Sequence, residues 1–269
     1  MSSPQAITIF DIDGVVRDVA GSYRRALADT VEQLTNGAYR PTPEAIDDLK
    51  GEGLWNNDWE ASREFVYRYF ESQGTSRKNL EIDYEELVAF FQSRYRGSDP
   101  HNWNGYIAQE PLLMSKDYLD TLTANNLLWG FFSGATRDSA EYVLQQRLEL
   151  LSPVLVAMED APGKPDPTGL FSAIAQLYEE NTLPVFYIGD TVADMQTIKK
   201  AKIKQPERRW FAIGVLPPHV SAASSQRRQD YSQRLKQEGA MMVLNHVEAL
   251  SPPVIQEIIT TYSYSNYFP

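Results

Sequence analysis

Downstream of Pro111, short apolar runs alternate with stretches of helical period, and this order restricts the possible architecture more than any other feature of the chain. The runs are LLWGFFSGA (Leu127–Ala135), PVLVAM (Pro153–Met158), LPVFYIGD (Leu183–Asp190) and RWFAIGVL (Arg209–Leu216). Between them lie segments such as RDSAEYVLQQRLELL and GLFSAIAQLYEE, whose apolar residues recur at helical spacing. Strands that alternate with helices are joined by crossovers, and crossovers make the strands parallel members of one sheet. AITIF (Ala6–Phe10), rich in β-branched and aromatic residues, supplies a strand far upstream. GAMMVLN (Gly239–Asn245) adds a last strand, and PPVIQEIITTYSYSNYFP a terminal helix with an aromatic tail. The fold class is therefore α/β, a doubly wound parallel sheet.

The sheet is interrupted between its first two strands. From Ser22 to about Ala108 the segments YRRALADTVEQL, PTPEAIDDLK, WEASREFVYRYFES and DYEELVAFFQSRYR predict four helices with few strands among them. Pro41 and Pro43 bracket one helix start, with Thr42 as its cap. With 269 residues and 42% hydrophobic content, the chain is long enough for a core with one inserted smaller domain. The expected division is an α/β core over 1–17 and 110–269 and a helical insert over 18–109.

Composition narrows the ligand classes. The formal net charge of −11 argues against a nucleic-acid or anionic-membrane surface, because phosphate backbones demand clustered Lys and Arg. An anionic ligand must then be met by locally concentrated positive charge. Cysteine is absent, which removes disulfides and thiolate chemistry and fits a cytoplasmic setting. No basic n-region precedes the first apolar run, and no run approaches the roughly 20 apolar residues of a membrane helix.

Four strand ends carry complementary polar groups. Asp11 and Asp13 follow the first strand; Ser133 and Gly134 follow the second. Lys164, in GKPDP, follows the third after a short loop, and Asp190 and Asp194, in GDTVAD, follow the fourth. Each taken singly reads as a cap or a turn. Together they lie where open α/β sheets collect their ligands, at the carboxyl ends of the strands. Converging carboxylates repel one another unless a hard divalent cation neutralises them, and oxygen-only ligation suits Mg²⁺. A lysine point charge, a serine hydroxyl and amides at a helix start then suit the oxygens of a phosphoryl group. One carboxylate serves as nucleophile and the one two residues on as general acid and base, since side chains at i and i+2 of a continued strand share a face.

In this order DIDGV, SGATR, GKPDP and GDTVAD resemble the four motifs of the haloacid dehalogenase superfamily of phosphatases, over residues 5–16 and 110–216. The resemblance implies that Asp11 forms an aspartyl-phosphate and that Asp13 is the acid/base. It makes Ser133, Gly134 and Lys164 the phosphate binders. It assigns the Mg²⁺ site to Asp11, Asp13 through its carbonyl, and Asp190, with Asp194 acting nearby or through water. Asp13 and Ser133 stand 120 positions apart (133 − 13) and Ser133 and Lys164 only 31 (164 − 133). The insert thus lies between the first two motifs, as in members with a helical cap. Val15 departs from the pattern, for many relatives carry Thr there.

The resemblance implies hydrolysis of a small phosphorylated metabolite, with the cap closing over the site and selecting the substrate. Within the insert, GLWNNDWEASREF (Gly53–Phe65) places Asn56, Asn57 and Asp58 between Trp55 and Trp59, a poor composition for a core, so these are expected to contact substrate; Asn at a helix start is the competing account. Arg17, with Arg24 and Arg25, lies just past the first motif and is expected to steer the anionic substrate, against a solvated helix face. His101, His219 and His246 are scattered and carry no expected role. Two further readings stand: a phosphomutase using the same covalent intermediate, and a non-catalytic binding protein whose aromatic tail meets a protein partner. Dehalogenation would need only one carboxylate nucleophile.

Overall fold

The computed structural model describes residues 3–55, 57–99, 103–180 and 182–264. Asn56, His101 and the tail from Ser265 to Pro269 lie outside the described residues. The chain forms two compact units, one of Met1–Arg17 with Leu112–Pro269 and one of Asp18–Pro111.

The first unit is built on six parallel strands in the order β3-β2-β1-β4-β5-β6. They are β1 (Ala6–Phe10), β2 (Leu127–Phe132), β3 (Leu155–Val156), β4 (Val185–Gly189), β5 (Trp210–Val215) and β6 (Met242–Leu244). β1, β4 and β5 are buried along their whole length, because helices cover both faces of a parallel sheet. Alternate residues serve alternate faces. Ile7, Ile9, Val185 and Tyr187 join Leu170, Ile174, Met195 and Ile198 in one apolar cluster. On the other side, Phe10 meets Tyr118 edge to face at 6.2 Å, and Phe211 stacks on Phe186 and meets Tyr262.

Those helices are α5 (Lys116–Ala124), α7 (Thr168–Leu177), α8 (Val192–Lys204) and α11 (Pro252–Tyr264), numbered along the whole chain. The same unit also contains α6 (Arg137–Glu141), α9 (Pro218–Ser221) and α10 (Ser225–Gln237). RDSAEYVLQQRLELL differs from the single helix expected: α6 passes after five residues into a π-helical segment, Tyr142–Arg147. The chain order runs outward from β1 to β3, then returns to β4 beside β1 and runs outward the other way. β1 and β4 therefore flank the topological switch point, where an open sheet leaves a crevice at its carboxyl edge.

The second unit contains α1 (Tyr23–Leu34), α2 (Pro43–Gly51), α3 (Asp58–Ser72) and α4 (Tyr84–Tyr95), with short 3₁₀ turns at Arg77–Asn79 and Tyr106–Gln109. α1 packs against α3 and α4, and Tyr23 stacks on Tyr95 at 4.1 Å. Side chains cap three helix starts: Thr42 accepts from the Ala45 amide, Asn57 from Trp59 and Glu60, and Asp83 from Glu85 and Glu86. The buried Glu64 carboxylate is met by Arg68 at 2.8 Å and Arg77 at 3.2 Å. Among the described residues no helix is long and apolar enough to cross a membrane.

Candidate active site

Phe10 ends β1 level with Phe131 and Ile188, and the Asp11 amide still donates to the Ile188 carbonyl at 2.8 Å. Asp11 is thus fixed as the first residue past the strand, at the switch point, and is only 6% exposed. Its Oδ1 accepts from the Ile12 amide at 2.7 Å and from Lys164 Nζ at 2.8 Å. Two donors on one oxygen leave Oδ2 as the oxygen available for bond formation.

Beyond Asp11 the chain turns rather than continuing as a strand. The Ile12 carbonyl accepts from the Val16 amide at 2.7 Å, and Gly14 takes φ +77°, a backbone conformation side chains rarely tolerate. A Cβ at Gly14 would lie 2.2 Å from Asp190 Oδ2, so only glycine lets this loop approach that carboxylate. Asp13 is consequently not placed by strand alternation. Its carboxylate is held by Arg17, Nε to Oδ1 at 2.6 Å.

Lys164 Nζ also lies 2.7 Å from Asp194 Oδ1. Asp194 is fully buried and meets four donors: Lys164 and the Tyr187 hydroxyl (2.8 Å) on Oδ1, the Thr191 amide (3.0 Å) and hydroxyl (2.5 Å) on Oδ2. The Thr191 contacts form a capping box that starts α8, so one carboxylate both begins a helix and anchors the lysine. Gly189 permits this, since a Cβ there would sit 2.3 Å from the Asp194 Cβ.

Burial pushes the Asp11 carboxyl up to about 7; Lys164 opposes that rise, and the charges of Asp194 and Asp13 add to it. For Asp194 burial acts in the same direction, yet Lys164 and the Thr191 donors hold the carboxyl below its ordinary value. Burial works to lower the Lys164 ammonium, but Asp11 and Asp194 keep it above its ordinary range. The asymmetry has a structural cause. Asp194 has four donors and Asp11 two, so the single shared cation leaves the desolvation cost on Asp11. Burial and the neighbouring Asp194 charge raise the Tyr187 phenol, which stays a donor.

Ser133 directly follows β2 and is buried; its Oγ accepts from the Ala135 amide at 3.1 Å, which leaves the hydroxyl proton to donate. Gly134 beside it faces open space, with nothing within 4 Å of a Cβ. Asp190 directly follows β4, and its carbonyl accepts from the Tyr231 hydroxyl at 2.9 Å. The carboxylates of Asp11, Asp190 and Asp194, all buried, offer oxygens within 4.8 Å of one another. This oxygen-only set, with the glycine loop pressed against Asp190, fits a small hard cation such as Mg²⁺.

Of the residues expected from the insert to contact substrate, Asn57 and Asp58 have local partners. Asn57 caps α3, and Asp58 pairs with Lys50 at 2.8 Å. The polar pair between tryptophans is explained by a helix start and an ion pair. Arg17 also corrects its expectation: it is neither a steering cation nor on a solvated helix face, but fully buried and turned onto Asp13. Arg24 pairs with Asp47 at 2.5 Å, and Arg25 lies over the Tyr106 ring. Tyr187, Thr191 and Tyr231 were not singled out from sequence. Tyr187 had a signal, a hydroxyl in the otherwise apolar run LPVFYIGD three residues before Asp190.

Solved structures with the same fold include a phosphonoacetaldehyde hydrolase-like protein from Oleispira antarctica, with TM-score 0.65 and 20% identity over 96% of this chain and 93% of that one. A β-phosphoglucomutase from Clostridium difficile has TM-score 0.62 and 15% identity over 97% of this chain and 99% of that one. An imidazoleglycerol-phosphate dehydratase from Phytophthora nicotianae is 31% identical over 248 residues, 91% of this chain and 51% of that protein. The chain therefore spans about half the length of that relative. The sequence model of the haloacid dehalogenase-like hydrolases matches residues 7–202, from β1 to within α8, and takes in every strand end that carries a site residue. With a match over that much of its length, the chain belongs to the haloacid dehalogenase-like hydrolases.

Proposed function

We propose that this chain is a Mg²⁺-dependent phosphomonoesterase acting on a small phosphorylated metabolite through an aspartyl-phosphate. The observation that carries the reading is Asp11: a buried carboxylate at the switch point, with Oδ1 tied to Ile12 and Lys164 and Oδ2 left for attack. In the first step Asp11 Oδ2 bonds to phosphorus while the ester oxygen leaves with a proton from Asp13. In the second, water bonds to phosphorus, its proton passes to Asp13, and the Asp11–phosphorus bond breaks. Lys164 and Ser133 meet the phosphoryl oxygens and stabilise the charge spread over them in both steps. Asp11 and Asp190 are the residues suited to hold Mg²⁺, with Asp194 at the edge of the group because its oxygens already serve protein donors. The ion, when bound, neutralises the carboxylates and polarises the phosphoryl group.

The name of the Phytophthora relative directs the substrate search to phosphate esters that carry an imidazole ring. The test is a screen of phosphomonoesters, imidazole-bearing ones included, with purified protein and Mg²⁺, scored for phosphate and for isomeric product. Phosphate release that falls by roughly three or more orders of magnitude in Asp11→Asn supports the reading. An isomeric ester formed without phosphate release would make the chain a mutase. Unchanged release in Asp11→Asn, or in excess chelator, would overturn the covalent or the metal-dependent part respectively.

A further inference from the structure

Arg17 is a fully buried guanidinium whose Nε lies 2.6 Å from Oδ1 of a carboxylate that is itself 29% exposed. Burying a charged side chain costs several kcal/mol in desolvation, and fixing an arginine costs up to about 2 kcal/mol of rotamer freedom. A carboxylate with that much access to water needs no such partner for its own solvation. The contact with Asp13 therefore does more to fix the direction of that carboxyl than to solvate it.

The backbone shows how the contact is enforced. Arg17 follows Asp13 by four residues, yet the two are not in a helix. The Gly14 amide donates to the Arg17 carbonyl at 2.9 Å, and the Arg17 amide donates to the Ile12 carbonyl at 3.2 Å. Leu113 donates to the Val16 carbonyl at 2.7 Å, which ties the same turn to the chain where it re-enters this unit. Arg17 is bridged to both Asp13 and Leu112. The loop is thus closed on itself, and the guanidinium returns to the carboxylate as a rigid consequence of the turn at Gly14.

We propose that Arg17 is a positioning residue for Asp13, fixing the plane and direction of its carboxyl so that the proton is delivered to the ester oxygen and later taken from water. This rests on the reading of Asp13 as the acid/base. In the first half-reaction the Asp13 O–H bond breaks as the ester oxygen–hydrogen bond forms and the phosphorus–oxygen ester bond breaks. In the second, the carboxylate regains a proton as water adds to phosphorus. Both transfers use one carboxyl, so misdirecting it harms each of them, but only where a proton is needed.

That condition supplies the test. p-Nitrophenolate leaves without a proton, whereas the alkoxide of glycerol 2-phosphate does not. In Arg17→Met, turnover of glycerol 2-phosphate should fall about 100-fold, the scale of a misplaced catalytic group. With p-nitrophenyl phosphate the first half-reaction should persist while the second slows. Stopped flow should then show a p-nitrophenolate burst larger than wild type, with acid-quenched aspartyl-phosphate accumulating. Arg17→Lys should recover part of the glycerol 2-phosphate turnover and reduce the burst. If Arg17→Met fails to fold, the burst is read in Arg17→Lys at an unchanged melting temperature. Equal losses on both esters without a burst would overturn the proposal, as would wild-type kinetics on both. Asp13→Asn separates the two layers. A leaving-group dependence there but none in the Arg17 variants refutes Arg17 alone, and its absence from Asp13→Asn refutes the acid/base reading and the proposal with it.

Discussion

Burial raises the carboxyl at the centre of the site, so its ionisation is expected to oppose folding of the metal-free protein as pH rises. Asp11 rises from 3.8 to about 7 in the fold, with burial the largest cause. A folded value above the unfolded one means that the unfolded chain releases this proton first as pH rises. The contribution to stability is then complete below pH 3.8 and is lost progressively until pH passes about 7. The loss is about 3 pKa units at 1.36 kcal/mol each, roughly 4 kcal/mol above neutrality and about 2 kcal/mol near pH 5. Asp11→Asn removes the ionisation while keeping the shape. In excess chelator it should melt higher than wild type near pH 8, by roughly 8–12 °C at about 2–3 °C per kcal/mol for a chain of this size. The gap should shrink to about half near pH 5. Calorimetric melts of both proteins at the two pH values make the measurement. Equal melting temperatures near pH 8, or a gap that does not shrink on acidification, would refute the assignment of the desolvation cost to Asp11. The expected gain is the usual sign of a site kept at the expense of stability.

Three other outcomes follow from the same geometry. Gly14→Ala should leave both units folded but cost about 1–2 kcal/mol of backbone strain and displace Asp190, lowering phosphate release at least about 100-fold and raising the Mg²⁺ concentration needed for half-maximal activity. Asn57→Ala should lower stability by about 1 kcal/mol through the lost α3 cap, leaving the ratio of kcat/KM between any two substrates unchanged. Tyr187→Phe removes one of the four donors on Asp194; a stability loss of about 1–2 kcal/mol in thermal melts is expected, with a smaller effect on turnover than Lys164→Met.

The parts of the fold that were legible in sequence are those fixed by local pattern. Strands such as Ala6–Phe10 and Val185–Gly189 are continuous apolar runs that stop at acids, and the same acids mark the switch point. Thr42 was readable as a cap because a proline follows it. Where tertiary structure decides, pattern misled. PVLVAM has six strand-like residues, but only Leu155 and Val156 pair with β2. A period near 3.6 does not separate an α-helix from the π-helical turns at Tyr142–Arg147, which bury Val143 and Leu144 as an α-helix would. Arg17 is the plainest case. Charge statistics place a lone arginine in solvent, and only the left-handed turn at Gly14 reveals that it comes back to Asp13. At Asn57 the competing account of a helix start is what the structure shows, its side chain accepting from the orphan amides of α3.

What unites the site is that one lysine serves two carboxylates with unequal support. Had Asp194 only Lys164, its own burial would raise its carboxyl as burial raises that of Asp11. Its two Thr191 donors and the Tyr187 hydroxyl satisfy it independently, and they do so as part of the start of α8. Asp194 therefore acts as a fixed anchor that places Lys164 against Asp11 without competing for the whole of its charge. Asp11 keeps a held oxygen and an available one, and burial raises its carboxyl, a rise that further positive charge beside it would oppose. A cation held by Asp11 and Asp190 would supply that charge, and a phosphoryl group would then find Lys164 already oriented. Helix capping, strand termination and a glycine turn, each ordinary in isolation, meet at the end of β1 and β4 because the strand order places both ends at one crevice.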